Sequence, residues 1–423
     1  MKALKGSKSR PALQTQELQD TVSALIDQVR AHGDEAILEF SRQFDGSERR
    51  FLRVSANEAK AALDSLAADD RAALEYALEA VKTFAEAQRA SIHEIPSFSP
   101  TPGLTLGHRL IPVDSVCCYV PGGAYPLCST ALMLIAPASV AGVSRIAACS
   151  PVMKGTSTIH PVTLAAMTLA GAHEIYAVGG AQAIAAFAYG SEQIKPVDLI
   201  VGPGNAYVAE AKRQCYGQVG IDFIAGPSEI LIIADDSAHA ALIAADLLAQ
   251  CEHDSLAQAI LVTTSPELAA AVLQEIERQL LTLATAQTAQ RSWTDFGEIH
   301  VAENLNEAVD FANARASEHL ELQTRTNDTL IPQLRNYGSL FIGEYAAEVF
   351  GDYAAGPNHT LPTLRASRYT GGLWVGTFLK ALSFQRVDPI AAAALAPVAA
   401  RLAHAEGLAA HAAAASARNS APL

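Results

Sequence analysis

Glu318 and His319 stand side by side and could carry proton chemistry. They open the alternating run His319-Leu-Glu-Leu-Gln323, which follows a helical pattern over 305–316. Histidine titrates near neutrality and can take an alcohol proton as hydride leaves, while a carboxylate can activate water. A capping glutamate and a packed histidine would give the same two letters. A strand start in a doubly wound fold also faces away from the usual ligand edge.

A second set offers metal ligands. Gln250 and His253 lie at i and i+3 of the helical pattern 244–253, which puts both on one face. Histidine is a common zinc ligand and a glutamine oxygen a rare one. Asp352 sits in Gly351-Asp-Tyr353, His359 in Gly356-Pro-Asn-His-Thr360, and His411 in a C-terminal helical stretch five residues after Glu406. Singly, each also reads as a capping aspartate or as a packed or exposed histidine.

Three glycine-rich runs read as strand-to-helix turns: Val120-Pro-Gly-Gly-Ala124, Val178-Gly-Gly-Ala-Gln182 and Val201-Gly-Pro-Gly-Asn205. Glycine lets backbone amides approach a phosphate, and the N-terminus of the next helix favours its charge. None is a full G-x-G-x-x-G, because Tyr207 stands where the third glycine would be. Together they point to a dinucleotide or phosphate ligand. Asn205 and Gln182 can hydrogen-bond a ribose or amide there, and Tyr119 can stack on a ring or simply pack.

These residues need a frame. Short apolar runs at 145–149, 174–178, 199–201, 229–234, 259–263, 298–301, 319–323 and 339–343 alternate with helical patterns, which predicts βαβ units and parallel sheets. Two such series, either side of about residue 230, predict two doubly wound lobes. Residues 18–44 and 56–91 carry helical spacing, with Gly46 past the first pattern's end. Residues 1–14 read as a polar arm and the last 35 or so, rich in alanine, as helix.

Composition narrows the partners. The chain has 423 residues, half of them hydrophobic and 17% charged, which is globular and too long for one ordinary core. Its formal charge of -14 argues against a nucleic-acid partner. The polar run Gly6-Ser-Lys-Ser-Arg10 stands where a signal peptide would turn apolar. The apolar stretch 131–143 is broken by Pro137 and falls short of the about 20 residues of a bilayer span, so it reads as a buried helix rather than a membrane segment. Six cysteines without a C-x-x-C pair fit a reducing, cytoplasmic setting.

Taken in order, the segments resemble the histidinol dehydrogenase family. The matching stretches are Tyr119-Val-Pro-Gly-Gly123, Val178-Gly-Gly-Ala-Gln-Ala-Ile-Ala185, Gly202-Pro-Gly-Asn-Ala206, Glu210-Ala-Lys-Arg-Gln214 and Ala225-Gly-Pro-Ser-Glu229. They continue through Asp246-Leu-Leu-Ala-Gln-Cys-Glu-His253, Ser317-Glu-His-Leu320, Gly351-Asp-Tyr353, Gly356-Pro-Asn-His-Thr-Leu-Pro362 and Glu406-Gly-Leu-Ala-Ala-His411.

The resemblance implies an α/β fold of two incomplete Rossmann-like doubly wound lobes. One is discontinuous, 18–117 with 230–372; the other, 118–229, binds NAD. An arm, 1–17, and a helical tail, 373–423, complete the chain. It implies a homodimer with exchanged tails and one Zn2+ per subunit, held by Gln250, His253 and Asp352 of one chain and His411 of the other. It implies that zinc mainly holds the substrate, His319 acts as general base and Glu318 activates water. Ser228, His359 and Glu406 would line the substrate pocket with them, and Tyr119, Gln182 and Asn205 would contact NAD. The implied reaction is the four-electron oxidation of a primary alcohol through an aldehyde to a carboxylate with two NAD, L-histidinol to L-histidine, a step of histidine biosynthesis.

Three features depart from the family. Asp254-Ser255 replaces a frequent Gly-Pro after His253, Cys251 lies inside the metal motif, and Thr370-Gly-Gly-Leu-Trp-Val-Gly376 resembles side branches such as the sulfopropanediol dehydrogenases. The same chemistry on a sulfonated propanediol is therefore the alternative, with Arg365, Arg368 and Lys380 as candidate partners of the sulfonate. Other readings use Cys117, Cys118 or Cys128 as an aldehyde nucleophile, or make the chain an NAD-binding module without turnover.

Overall fold

The computed structural model describes residues 1–10, 15–122 and 125–419. Residues 11–14 of the expected arm, Gly123 and Ala124 of the first glycine loop, and the last four residues of the tail lie outside them.

Two parallel sheets organise the chain. The first runs Glu174–Ala177, Arg145–Ser150, Ser115–Tyr119, Leu199–Val201, Gly220–Ile221 across the sheet, a 3-2-1-4-5 order. The second repeats that order with Glu298–Val301, Gln258–Thr263, Glu229–Ala234, His319–Gln323 and Ser339–Ile342. Each is one strand short of the full 3-2-1-4-5-6 dinucleotide-binding sheet.

Side-chain alternation explains why both faces are covered. In Ser115–Tyr119, Val116 and Cys118 pack on one face with the helices Ala68–Ser91, Cys128–Ala141 and Pro161–Leu169. Cys117 and Tyr119 pack on the other with Gln16–Asp45, Gly180–Tyr189 and Ala206–Cys215. In Glu229–Ala234, Ile230 and Ile232 meet Ala240–His253, Pro266–Leu280 and Ala286–Phe296, while Leu231 and Ile233 meet Leu305–Arg315. Burial also holds the helix Cys128–Ala141 around Pro137. An interior proline costs about 3 kcal/mol, and each buried Leu132, Met133, Leu134 or Ile135 contributes roughly 1.5–3 kcal/mol against it.

The structure revises three boundaries. The helices Gln16–Asp45, Ala56–Asp64 and Ala68–Ser91 pack on the first sheet, not with 230–372: Val22, Ile26 and Val29 lie in one core with Ala183 and Phe187. Residues 2–5 are not a free arm, because Lys2–Lys5 adds antiparallel to Glu298–Val301 and Arg10 pairs with Glu229. The tail is α-helical only from Pro389–Ala405 onward. Before it, Leu379–Val387 pairs antiparallel with Leu104–Pro112, in register over nine residues, and Ile95–Thr101 completes a three-stranded sheet.

Candidate active site

The carboxyl edge of the first sheet faces the amino edge of the second across a cavity of about 340 Å³. Pro121 and Pro203 to Asn205 follow the strands Ser115–Tyr119 and Leu199–Val201, the two neighbours at which the strand order reverses. Ser228 and Glu318 precede Glu229–Ala234 and His319–Gln323, which are also neighbours. A strand start therefore reaches a ligand space here because the opposing lobe supplies its usual ligand edge. The objection from strand polarity applied to one lobe alone.

Ser228, His253, Glu318, His319, Asp352 and His359 all line this cavity. Glu318 is buried, and its Oε2 accepts from the Glu229 backbone N–H at 3.0 Å. Burial pushes its carboxyl well above the ordinary value, and the neighbouring carboxylates of Glu229 and Asp352 add to that. His319 is 3% exposed, and burial holds its ring down to about 4, so it is neutral at pH 7. Its Nδ1 lies 2.9 Å from Gln250 Oε1 and 4.0 Å from Glu318 Oε2.

His253 Nε2 lies 3.9 Å from Asp352 Oδ2, and His359 Nδ1 lies 3.5 Å from Asp352 Oδ1 while donating to the Asp352 carbonyl at 2.9 Å. His253, Asp352 and Glu348 bring one donor atom each within 4.8 Å of one another, the only such group of three among the described residues. Gln250 is fully buried beside His319 on the same helix as His253, and its Nε2 has no partner. These nitrogen and oxygen donors fit zinc or another first-row divalent ion.

Sequence spacing missed Glu348. It stands one helical turn before Asp352 in Glu348–Tyr353, so an i, i+4 acidic pair was its only local signal. Conversely, Glu406 and His411 are exposed in the tail and line no part of the cavity.

The glycine loops are tied together from beneath. Tyr119 is buried, and its hydroxyl accepts from the Gly180 N–H at 3.0 Å; Gln182 is buried behind that glycine. Neither lines the cavity, whereas Asn205 does. The Asn205 Oδ1 caps the helix Ala206–Cys215 by accepting from the N–H groups of Tyr207 and Val208, which leaves its Nδ2 for a ligand. Gly202 has φ +117, and a Cβ there would come 2.2 Å from the Tyr119 carbonyl oxygen, so the loop requires glycine. Its N–H donates to Asp222 and its carbonyl accepts from Lys212, two residues whose side chains are buried and pair with each other. Removing one partner of such a pair costs about 3–5 kcal/mol, so the pair helps to fix the loop's shape.

The cysteine-nucleophile reading loses its geometry. Cys117 and Cys118 are buried inside a sheet strand, and the cavity lining passes from Leu127 to Ser129 without Cys128. Burial raises all three thiols, which disfavours thiolate. Among the described residues no lysine or arginine lines the cavity, Arg365, Arg368 and Lys380 included. No described helix is long and apolar enough to cross a membrane.

The histidinol dehydrogenase family profile matches residues 8–419. A protein of Mesorhizobium japonicum named histidinol dehydrogenase homolog 1 is 47% identical over 92% of this chain and 78% of its own length. The histidinol dehydrogenase of Rhizobium meliloti is 46% identical over 94% of this chain and 91% of its own. The crystal structure of histidinol dehydrogenase from Elizabethkingia anophelis superposes with a TM-score of 0.92 at 34% identity, covering 97% of this chain and 94% of that one.

Proposed function

Because the chain belongs to the histidinol dehydrogenase family of NAD-dependent oxidoreductases, we propose that it oxidises L-histidinol through the aldehyde to L-histidine in a cytoplasmic, zinc-dependent, four-electron reaction. The observation that carries this reading is one cavity holding Glu318 and His319 beside His253 and Asp352, opposite the Asn205 loop. A zinc ion on Gln250, His253 and Asp352, joined by His411 of the partner subunit, would hold the substrate's donor atoms. NAD, lodged at the lobe 118–229 with Asn205 at its edge and Tyr119 and Gln182 shaping its loops, would accept one hydride in each of two steps.

The chain's own groups supply the proton steps. The neutral His319 ring takes the hydroxyl proton as the alcohol becomes aldehyde. Glu318 takes a proton from the water that adds to the aldehyde carbon, and its raised carboxyl is a stronger base than an ordinary carboxylate. Once the ring has released its first proton to solvent, His319 takes the hydrate's proton in the second oxidation. Ser228 and His359 border the substrate space.

The lining also favours one alcohol. Histidinol carries an ammonium and an imidazole, which suit walls of Glu318, Asp352, His253 and His359, whereas a sulfonate would sit among acidic groups with no lysine or arginine among the described lining residues. The expected result is NAD reduction with L-histidinol, lost after chelation and restored by zinc or manganese. Turnover of dihydroxypropanesulfonate without turnover of histidinol would transfer the mechanism to the alternative substrate.

The exchanged-tail homodimer belongs to the same reading. Its support is the exposure of Glu406 and His411, together with Ile390, Val398 and Leu402, which stand 70%, 60% and 62% exposed on the helix Pro389–Ala405. Chains carrying His253→Ala and His411→Ala, each inactive alone, should regain about a quarter of wild-type activity when randomly mixed, since half the dimers then hold one intact site. No recovery on mixing would place His411 in its own chain's site or in none.

A further inference from the structure

Glu348 is 1% exposed, and neither of its carboxyl oxygens has a hydrogen-bond partner. Facing it is His319 Nε2, which is also buried and unpartnered, with Glu348 Oε1 at 3.6 Å. A bridging water would need roughly twice a 2.8 Å hydrogen bond, so no molecule fits between them. Two acceptors left bare at that separation in a dry interior would repel each other, and a proton between them removes the repulsion.

Glu348 is also tied to the strand that carries the ring. Its backbone N–H donates to Glu321 Oε1 at 3.2 Å, and Glu321 lies two residues after His319 on the same strand face. Gln323 Nε2, on that face again, donates to Glu321 Oε2 at 3.1 Å and to Asp246 Oδ2 at 3.3 Å.

We propose that Glu348 is the positioning residue of His319: an oxygen of its carboxyl group accepts a hydrogen bond from Nε2–H, holds the ring, and leaves Nδ1 to take the substrate's proton. This rests on His319 being the base. Nδ1 lies 4.0 Å from Oε2 of Glu318, a residue of the cavity lining. In the chain alone Nδ1 faces Gln250 Oε1. A Gln250 oxygen given to a metal no longer accepts from Nδ1, which favours the proton on Nε2. In the reaction the alcohol O–H bond breaks and an Nδ1–H bond forms, while Glu348 keeps the ring in place.

Glu348→Gln tests this, because a side-chain amide can donate to Nε2 and so enforce the opposite tautomer. The readouts are 15N-histidine spectra of the zinc-loaded, substrate-free protein, with the His319 signals assigned by their loss in His319→Gln, and zinc per chain. The wild type should show Nε2–H and Glu348→Gln should show Nδ1–H, with zinc content unchanged. On L-histidinol, kcat should fall at least about 100-fold with KM within about threefold, as for other histidines held in the wrong tautomer. Glu348→Asp should keep the wild-type tautomer and recover part of kcat. An unchanged tautomer in Glu348→Gln overturns the proposal, and so does loss of zinc with the tautomer kept, which would make Glu348 a ligand. The spectra need no substrate, so a histidinol reading that fails leaves this test standing.

Discussion

His319→Gln should lower kcat for alcohol oxidation and for oxidation of supplied aldehyde by about 10²–10⁴-fold, the range of a lost general base. KM and zinc content should stay within about threefold. The loss should be common to both steps because both remove a proton from an oxygen on the same carbon. Glutamine fills the buried site and can still meet Gln250, yet it cannot take a proton at neutral pH. Steady-state rates with each substrate decide the matter, and a variant that keeps wild-type kcat for either one removes His319 from that step. A second readout follows from burial. The folded ring is held at about 4 against an ordinary 6.5, so below 6.5 the unfolded chain binds the proton first. The stability contributed by the neutral ring is present above 6.5 and is lost as pH falls through about 4. His319→Gln should therefore lose less Tm over that window than the wild type does.

The frame around this residue was legible where strands are buried on both faces. The apolar runs 199–201, 229–234 and 319–323 coincide with Leu199–Val201, Glu229–Ala234 and His319–Gln323, because a central parallel strand must be filled on each side. Edge strands carry no such mark. Lys2–Lys5 and Leu379–Val387 mix polar and apolar residues that remain largely exposed, so the first reads as an arm and the second as part of a helical tail. The helices over 16–91 show why lobe membership was misread. An amphipathic face at Val22, Ile26 and Val29 announces burial without naming the sheet that buries it.

In the site, the spacing of Gln250 and His253 anticipated their shared helix face, and the alternation after Glu318 anticipated the strand. The joining of residues near 205, 228, 318 and 352 in one cavity depends on how two lobes face each other, which no local pattern encodes. The alternation did hold one unused signal. His319, Glu321 and Gln323 put polar groups on one face of a buried strand, and such a face needs buried polar partners; Glu348 and Asp246 are among them.

Glu318→Gln should separate the two oxidations that His319 joins. The amide can occupy the carboxyl's place and still accept from the Glu229 N–H, so the fold and the alcohol step should persist within about threefold. Water addition loses its base, and aldehyde oxidation should fall about 10²–10³-fold. The stoichiometry of NADH formed per alcohol consumed should then drop from two toward one, with aldehyde trapped by semicarbazide. The burial that raises the carboxyl strengthens it as a base at the cost of keeping it protonated to higher pH. In the wild type the aldehyde step should accordingly lose rate at a higher pH than an ordinary carboxylate would allow as the medium is acidified, and Glu318→Gln should abolish that dependence. A variant that still yields two NADH per alcohol at the wild-type ratio would take water activation away from Glu318. A variant that loses the alcohol step alone would reverse the division of labour between the two neighbours.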